Sequence, residues 1–149
     1  MNKDLSDIRQ RALGLLARRE HSARELITKL IMRDYDEATV QSVVATLAKE
    51  GLQSDDRFAE GYIHGRIEKG YGPVRIKQEL RGHGINDDLI YFHLDMHAPE
   101  WEMRAIRARE KRFGKKIPQD FNDKAKQMRF LQQRGFSGEQ MRKIFGTSD

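Results

Sequence analysis

The sequence contains no cysteine, and this absence removes several kinds of chemistry at once. Disulfide bonds, thiol catalysis and thiolate metal sites are all excluded. No apolar run approaches the length of about 20 residues that a membrane-spanning helix needs. The first ten residues, MNKDLSDIRQ, also lack the apolar core of a signal peptide. These absences predict a soluble, cytoplasmic protein with no membrane partner.

Apolar side chains are scarce too, at 38% of the 149 residues, whereas 34% are charged. This is enough to bury one face of each helix but not to cover both sides of a large sheet. The net charge of +5 favours an anionic partner, and nucleic acid is the commonest such partner. Non-specific adhesion is the alternative, because net charge alone does not separate the two. From residue 99 onwards the chain has thirteen basic and seven acidic residues, so this is the basic end.

Helical periodicity runs through the whole sequence, whereas the period-two alternation of β-strands is absent. Leu5, Ile8 and Ala12 begin one apolar stripe at helical spacing. Ser22 and Glu25 form a capping-box pattern, and Pro73 and Pro99 suit the first position of a helix. Polar residues suited to helix N-caps occur at regular intervals elsewhere, at Asp36, Ser54, Asn86 and Ser137. Together these signals predict nine helices.

The helices repeat with a period near fifty residues. Four columns agree in chemical type across the chain: Leu30, Leu80 and Leu131; Tyr35, Ile85 and Phe136; Asp36, Asn86 and Ser137; Val40, Ile90 and Met141. We therefore expect an all-α fold of three tandem three-helix repeats, at residues 1–52, 53–98 and 99–149, which form an elongated, curved array. A single compact nine-helix bundle is the alternative.

The stretch KGYGPVRIKQELRGHGI, at residues 69–85, resembles a phosphate-binding loop because of its glycines. A phosphate loop needs free backbone N–H groups at a helix N-terminus, and Pro73 removes one of them. The repeat alignment places Gly72 where Ser22 stands, at the N-cap of a helix. We therefore interpret the stretch as a turn between helices.

Other candidate sites have simpler structural explanations. His93 and His97 have the spacing of a helical metal pair, but further ligands are missing. The doublets at 55–56 and 87–88 are aspartates in the first turn of a helix, where the helix dipole stabilises them. Phe58, Tyr62, Trp101 and Phe113 have the spacing of core residues rather than of base-stacking aromatics. We expect no catalytic residue, no cofactor and no metal ion.

Basic residues are the strongest candidates for a binding surface. Arg104, Arg107, Lys111 and Lys115 advance by three, four and four residues, which predicts a basic ridge along one helix, flanked by Arg112 and Lys116. Lys77 and Arg81 form a shorter pair on the helix that starts at Pro73. A solvated helix face with no partner is the alternative.

The segment at residues 55–85, DDRFAEGYIHGRIEKGYGPVRIKQELRGHGI, closely resembles the defining segment of the RecX family of bacterial regulatory proteins. The matching positions are Asp55, Asp56, Arg57, Phe58, Ala59, Arg66, Lys69, Gly70, Gly72, Pro73, Arg75, Ile76, Leu80, Gly84 and Ile85. The stretches RALGLLARREHSARELITKL and FLQQRGFSGEQMRKIF resemble the beginning and the end of the family. The resemblance covers nearly the whole chain.

This resemblance implies a monomeric modulator of the RecA recombinase. Such a protein binds RecA and its filament on single-stranded DNA, lies in the helical groove, and suppresses ATP hydrolysis, strand exchange and the SOS co-protease activity. Contact with single- or double-stranded DNA would be weak and non-specific. We expect the contact residues to be basic: Arg66, Lys69, Arg75, Lys77 and Arg81 in one region, and Arg104, Arg107, Lys111, Arg112, Lys115 and Lys116 in a second, with Arg57 as a further candidate.

The main rival is a helix-turn-helix regulator that acts directly on DNA. Its recognition helix would be NDDLIYFHLDM, which is acidic and apolar and would be repelled by the phosphates of the major groove. An enzyme acting on nucleic acid and a passive scaffold for another partner are the remaining alternatives.

Overall fold

The computed structural model describes residues 2–146, which form nine α-helices and no β-strand. The helices are α1 Asn2–Arg18, α2 Ala23–Ile31, α3 Glu37–Lys49, α4 Asp55–Glu68, α5 Pro73–Gly82, α6 Asp87–His93, α7 Glu100–Phe113, α8 Phe121–Arg134 and α9 Gly138–Phe145. The predicted all-α fold is confirmed. Within the described residues, no helix is long and apolar enough to cross a membrane.

The predicted helix starts are confirmed by hydrogen bonds at their caps. The Ser22 hydroxyl accepts from the Glu25 N–H, and the Glu25 carboxylate accepts from the Ser22 N–H, completing the capping box. The other predicted caps accept equivalent bonds at Asp36, Ser54, Asn86 and Ser137. The prediction for Pro99 is wrong by one residue, because α7 begins at Glu100 and Pro99 precedes it without a side-chain cap. α8 begins at Phe121 behind an Asp120 cap.

Helices α1, α2 and α3 share one apolar core. The side chains that are buried there lie on the inner face of each helix: Ile8, Ala12, Leu26, Leu30, Val40, Val43, Val44 and Leu47. Leu5, which begins the predicted stripe on α1, is 43% exposed instead. The removal of each large aliphatic side chain from water stabilises the repeat by about 1.5–3 kcal/mol.

The repeat columns found in the sequence have the same burial in each copy. Leu30, Leu80 and Leu131 are all buried to within 1% of full burial. The other apolar columns are buried in the same way, except that Tyr35 is half-buried. The period near fifty therefore reflects a repeated packing arrangement and not only a repeated composition.

Backbone geometry adds a further column. The residue before the Tyr35, Ile85 and Phe136 column has a left-handed conformation in every repeat, with φ of 67° at Asp34, 81° at Gly84 and 101° at Gly135. This conformation ends a helix with little strain when the residue is glycine, and aspartate tolerates it better than most others. Asp34 is exposed, so its side chain has room.

The two glycines of this column lie against the start of the second helix of the preceding repeat. A methyl group at Gly84 would lie 2.8 Å from Arg24 Cβ at the start of α2. A methyl group at Gly135 would lie 2.6 Å from the backbone nitrogen of Arg75 at the start of α5. Both contacts are too close for any side chain at these positions, so glycine is needed for space as well as for φ.

The chain divides into two compact units that do not follow the repeat boundaries. One unit contains the chain up to Gly61 together with Leu80–Ile90, and the other contains Tyr62–Glu79 and the chain from Tyr91 onwards. The close contact at Gly84 lies inside the first unit, and that at Gly135 lies inside the second. The boundaries of the three repeats stay a prediction from the sequence.

The contact at Gly135 can be tested by substitution. We expect Gly135→Ala to lower the free energy of unfolding by about 2–4 kcal/mol, because it adds overpacking against Arg75 to the cost of the left-handed backbone. Gly51→Ala is the matched control, since Gly51 has φ of 77° but no atom within 4 Å of an added methyl group. The control should lower the free energy of unfolding, measured by urea denaturation, by only about 1 kcal/mol. Equal losses for the two variants would contradict the packing argument.

Candidate functional site

Two backbone N–H groups at the start of α5 are already bonded to carbonyl oxygens. The Gly72 N–H donates to the Arg134 carbonyl at 2.7 Å, and the Val74 N–H donates to the Gly135 carbonyl at 2.9 Å. Pro73, between them, has no N–H. These are the donors that a phosphate group would use. The glycine stretch is therefore a turn between helices, as the repeat alignment predicts.

Glu79 on α5 is the centre of a polar cluster in the second unit. Arg66 on α4 binds it in a bidentate manner, with Nε 2.9 Å from Oε1 and Nη2 2.9 Å from Oε2. The Tyr62 hydroxyl donates to Oε1 at 3.0 Å, and Arg75 Nε donates to Oε2 at 3.1 Å. Arg66 and Glu79 have only 19% and 22% of their side chains exposed. The partly buried carboxylate is therefore saturated with donors.

Three guanidinium groups surround the ring of Tyr71. The guanidinium carbon lies 3.7 Å from the ring centroid for Arg66, 4.5 Å for Arg75 and 4.6 Å for Arg134. Arg134 also donates to the Lys69 carbonyl oxygen at 3.2 Å. Cation–π attraction offsets some of the repulsion between the three cations, and Glu79 offsets more. The contacts of Arg66 and Arg75 with Glu79 and Tyr71 stabilise the second unit, so these two arginines are not an open binding surface.

The same contacts shift the titration of the two groups that meet in this cluster. Burial and the hydrogen bond to Glu79 raise the pKa of Tyr62 to about 12. Burial alone would favour the neutral form of Glu79, but the hydrogen bonds from Arg66, Arg75 and Tyr62 outweigh it and lower its pKa. Glu79 is therefore ionised and Tyr62 neutral at neutral pH.

The Glu79 cluster gives a prediction about stability and pH. We expect Glu79→Gln to lower the free energy of unfolding by about 1–2 kcal/mol at pH 7, because the guanidinium donors lose a charged acceptor. Since the pKa of Glu79 is lower in the folded state, its contribution is present above the unfolded pKa of about 4.3 and is lost as pH falls through the folded value. The difference between wild type and variant should therefore shrink in acid, as measured by urea denaturation from pH 7 to pH 3.

The control for this prediction is Glu68→Gln. Glu68 is 68% exposed and, among the described residues, pairs with His64 alone, so this variant should stay close to wild type in stability. A loss for Glu79→Gln that is the same at every pH would show that the carboxylate charge is not its cause.

Part of the predicted basic ridge lies on α7. Arg104 stacks over the Trp101 ring at 4.7 Å, while Arg107 and Lys111 are exposed. Arg112 is exposed beside the Phe113 and Phe130 rings, with its guanidinium 5.9 Å from each centroid. The spacing of three and four residues therefore places Arg104, Arg107 and Lys111 along one helix, as predicted.

The extension of this ridge to Lys115 and Lys116 as helical residues is wrong. Gly114 has φ of 85° and ends α7 after Phe113, so neither lysine continues the face of the helix. Both are exposed in the segment before α8. The buried guanidinium of Arg109 holds this segment by donating to the Lys116 carbonyl oxygen at 3.2 Å.

The remaining predicted contact residues differ in their surroundings. Arg57 is occupied by Glu20 at 2.8 Å and by the Gly51 carbonyl oxygen, and Arg81 is paired with Asp87 at 3.0 Å. Lys69 is exposed and Lys77 is half-buried. Four of the predicted contact residues therefore have internal partners, which the sequence did not reveal: Arg57, Arg66, Arg75 and Arg81.

The structure supports the simpler explanations for the aromatic and aspartate candidates, but it does not place both histidines on one helix. Phe58 and Trp101 are buried in the core. Asp55 accepts the Ala23 N–H at 2.9 Å, so it supports the start of α2 in addition to lying in the first turn of α4. α6 ends at His93, and His97 lies beyond it, so the two histidines do not share a helix face. The described part of the chain contains no group of three His, Asp or Glu residues placed to hold a metal ion.

Comparison with known proteins assigns the chain to a family. Models of the first, second and third three-helix domains of RecX match residues 9–47, 54–91 and 100–145. The Regulatory protein RecX of Halorhodospira halophila is 44% identical over 142 residues, which is 95% of this chain and 88% of that protein. The chain belongs to the RecX family. The family resemblance seen in the central segment is thus confirmed.

Other RecX proteins extend this similarity to sequence and fold. The Regulatory protein RecX of Stenotrophomonas maltophilia is 40% identical over 90% of this chain and 82% of its own length. The crystal structure of RecX from Lactobacillus salivarius superposes with a TM-score of 0.82 at 23% identity, covering 97% of this chain and 96% of that one. A second RecX crystal structure gives 0.84 at 24% identity, covering 97% and 74%. The structural similarity shows a shared fold of three tandem three-helix domains.

Sequence reasoning missed two features of this RecX family chain. Tyr71 and Arg134 belong to the central cluster, but they are 63 positions apart in the sequence and no local pattern joins them. Tyr91 and Phe92 on α6 are 88% and 78% exposed. A signal for the second feature was present, because the four apolar residues at 89–92 occupy every side of a helix and cannot all be buried.

Proposed function

We propose that this RecX family protein is a negative modulator of the RecA recombinase. It binds RecA and RecA filaments on single-stranded DNA, lies in the helical groove, and inhibits ATP hydrolysis, strand exchange and SOS co-protease activity. The observation that carries this proposal is similarity over almost the full length to proteins named Regulatory protein RecX. The protein would act by binding and not by catalysis, as a monomer in the cytoplasm.

The surface cations support binding to an anionic filament. Six cations on α7 and in the segment directly after it have no ion-pair partner among the described residues: Arg104, Arg107, Lys111, Arg112, Lys115 and Lys116. Cations without internal partners raise association rates with acidic surfaces and with phosphates. Repeated helical units also allow several weak interactions with one polymer, and such interactions add through effective concentration.

Tyr91 and Phe92 support a protein partner. Aromatic rings that are almost fully exposed are unusual in a helix whose neighbour Ile90 is buried. Tyrosine and other large aromatic residues are enriched where binding energy concentrates at protein interfaces. We assign these two rings to the contact with the recombinase.

The rival helix-turn-helix function is less well supported. The helix that would enter the major groove is α6, which has seven residues and begins with Asp87 and Asp88. Both carboxylates are exposed and would meet DNA phosphates. Its exposed surface is aromatic and acidic, which suits a protein contact better than a DNA groove.

The proposed function is tested by ATP hydrolysis. We expect the protein, at a substoichiometric ratio, to reduce the single-stranded-DNA-dependent ATPase rate of the cognate recombinase by a larger fraction than its molar ratio. Such a reduction requires one molecule to affect several filament subunits. An unchanged rate, together with tight binding to one duplex sequence, would favour the rival function.

The aromatic contact is tested with Tyr91→Ala/Phe92→Ala in the same assay. We expect inhibition to weaken by about tenfold or more, as for the loss of an interface hot spot. The thermal unfolding midpoint should stay unchanged, because both rings are exposed. The control, Met32→Ala/Leu52→Ala, removes two other exposed apolar side chains and should inhibit normally. Equal loss of inhibition in both variants would contradict a specific role for the rings.

A further inference from the structure

The first repeat contains a cationic groove between α1 and α2. We call it groove 1; it has a volume of ≈ 220 Å³ and is lined by Arg11, Gly14, Leu15, Arg18, Lys29, Leu30 and Arg33. Four of these residues are cations and none is acidic. Arg18 and Arg33 are exposed and have no ion pair within the described chain. The Lys29 ammonium lies 3.0 Å from Nε2 of the buried His21, which holds it in place.

The third repeat has a second groove of the same charge. We call it groove 3; it has a volume of ≈ 240 Å³ and is lined by Lys69, Gly70, Ala108, Lys111, Arg112, Phe130 and Arg134. It also has four cations and no carboxylate. The guanidinium groups of Arg112 and Arg134 lie 5.9 Å and 5.1 Å from the centroid of the Phe130 ring.

The two grooves occupy the same position in their repeats. Ala12 on α1 and Ala105 on α7 are both fully buried, and Leu30 and Leu131 form the equivalent position of the second helix. Counting from the alanines, Leu15 corresponds to Ala108 and Arg18 to Lys111. Counting from the leucines, Arg33 corresponds to Arg134. A cation therefore lies near the end of the first helix, and another near the end of the second helix, in both grooves.

The middle repeat shows what an anion does at this position. Ala59 is the equivalent alanine in this repeat, and counting three residues on from it makes Tyr62 the counterpart of Leu15. Leu80 is the equivalent leucine, and the residue before it, Glu79, is the counterpart of Lys29. In this repeat the Glu79 carboxylate lies between the two helices and is bound by Tyr62, Arg66 and Arg75. Arg66 is the counterpart of Arg112 in groove 3. The middle repeat thus supplies its own anion. In groove 1 only Arg11 has a carboxylate near it among the described residues, with its Nε 3.8 Å from the exposed Asp7. The other cations of grooves 1 and 3 have no ion pair in the part of the chain that the structure describes.

We infer that grooves 1 and 3 are binding sites for the phosphodiester backbone of single-stranded nucleic acid. In each groove, cations at the ends of two helices converge on a concavity and attract an anion in the way that Arg66 binds Glu79. Arginine matches the oxygens of a phosphate with paired N–H donors. The inference rests on the proposed function and extends it by naming residues for the DNA contact, including Arg18 and Arg33, which lie outside every surface predicted from the sequence.

Two observations favour phosphates over an acidic protein surface. First, the large apolar side chains of the grooves are not openly presented, since Leu30 is buried, Leu15 is half-buried and the Phe130 ring lies beside two guanidinium groups. Second, the site occurs twice in one chain. A nucleic acid presents a phosphate at every nucleotide, so it can fill both grooves at any separation, whereas a protein would need two acidic patches at a matching distance.

The test uses the full chain and fluorescein-labelled oligothymidylate, with affinity measured by anisotropy over a range of salt concentrations. Arg18→Gln/Arg33→Gln removes two cations from groove 1, and Lys111→Gln/Arg112→Gln removes two from groove 3. The control, Lys49→Gln/Arg129→Gln, removes the same charge from exposed positions outside both grooves. Circular dichroism verifies that all three variants keep their helices.

We expect each groove variant to bind about tenfold more weakly and to lower the slope of log affinity against log salt by about 1.4, or about 0.7 for each phosphate that the variant no longer neutralises. The control should differ from wild type by less than about twofold. Equal losses of affinity in the control and groove variants would overturn the inference. It would also be overturned if unlabelled polyglutamate displaced the labelled oligothymidylate as well as unlabelled oligothymidylate does at equal charge. If the groove variants bind DNA normally but fail to inhibit the recombinase ATPase, the phosphate assignment is wrong while the proposed function stands.

Discussion

The close contact between Gly72 and Gly135 is the constraint on which the arrangement of the second unit depends. A methyl group at Gly72 would lie 2.5 Å from the Gly135 carbonyl carbon, so the two backbones meet directly. This approach lets carbonyl oxygens at the end of α8 accept the N–H groups at the start of α5. It also brings Arg134 beside the Tyr71 ring, next to Arg66 and Arg75. The contact of Arg134 with Tyr71 is therefore a consequence of this backbone packing.

The cations of this chain serve two different purposes. Those of the central cluster neutralise Glu79 and stack on Tyr71, and they are partly buried because they stabilise the fold. Arg18 and Arg33 in groove 1, and Arg107 and Lys111 on α7, have no ion pair with a carboxylate among the described residues. A protein that acts by binding a polyanionic filament needs the second group, and a chain with few apolar residues needs the first to supplement its small cores. The net charge of the whole chain does not distinguish the two groups.

Local patterns predicted the helices and the repeat correctly, because capping and apolar spacing act over three or four residues. The Ser22 capping box and the burial of Leu30, Leu80 and Leu131 follow directly from such patterns. The same reasoning failed for Lys115, because it continued the helical spacing of the cations past Gly114, where α7 ends. Arg66 and Arg75 looked available because their acceptor, Glu79, was not considered as a partner. The separation of Arg134 from Tyr71 in the sequence hid their contact entirely.

The sequence by itself determined the helical class, most of the helix starts, the period near fifty and the family, since each depends on short-range chemistry or on the order of residues. Only the tertiary structure decided which cations are free. Whether an arginine faces solvent or a carboxylate depends on which helices lie side by side. That arrangement is set by close backbone contacts such as the one at Gly135, where the absence of a side chain matters only because another segment is there.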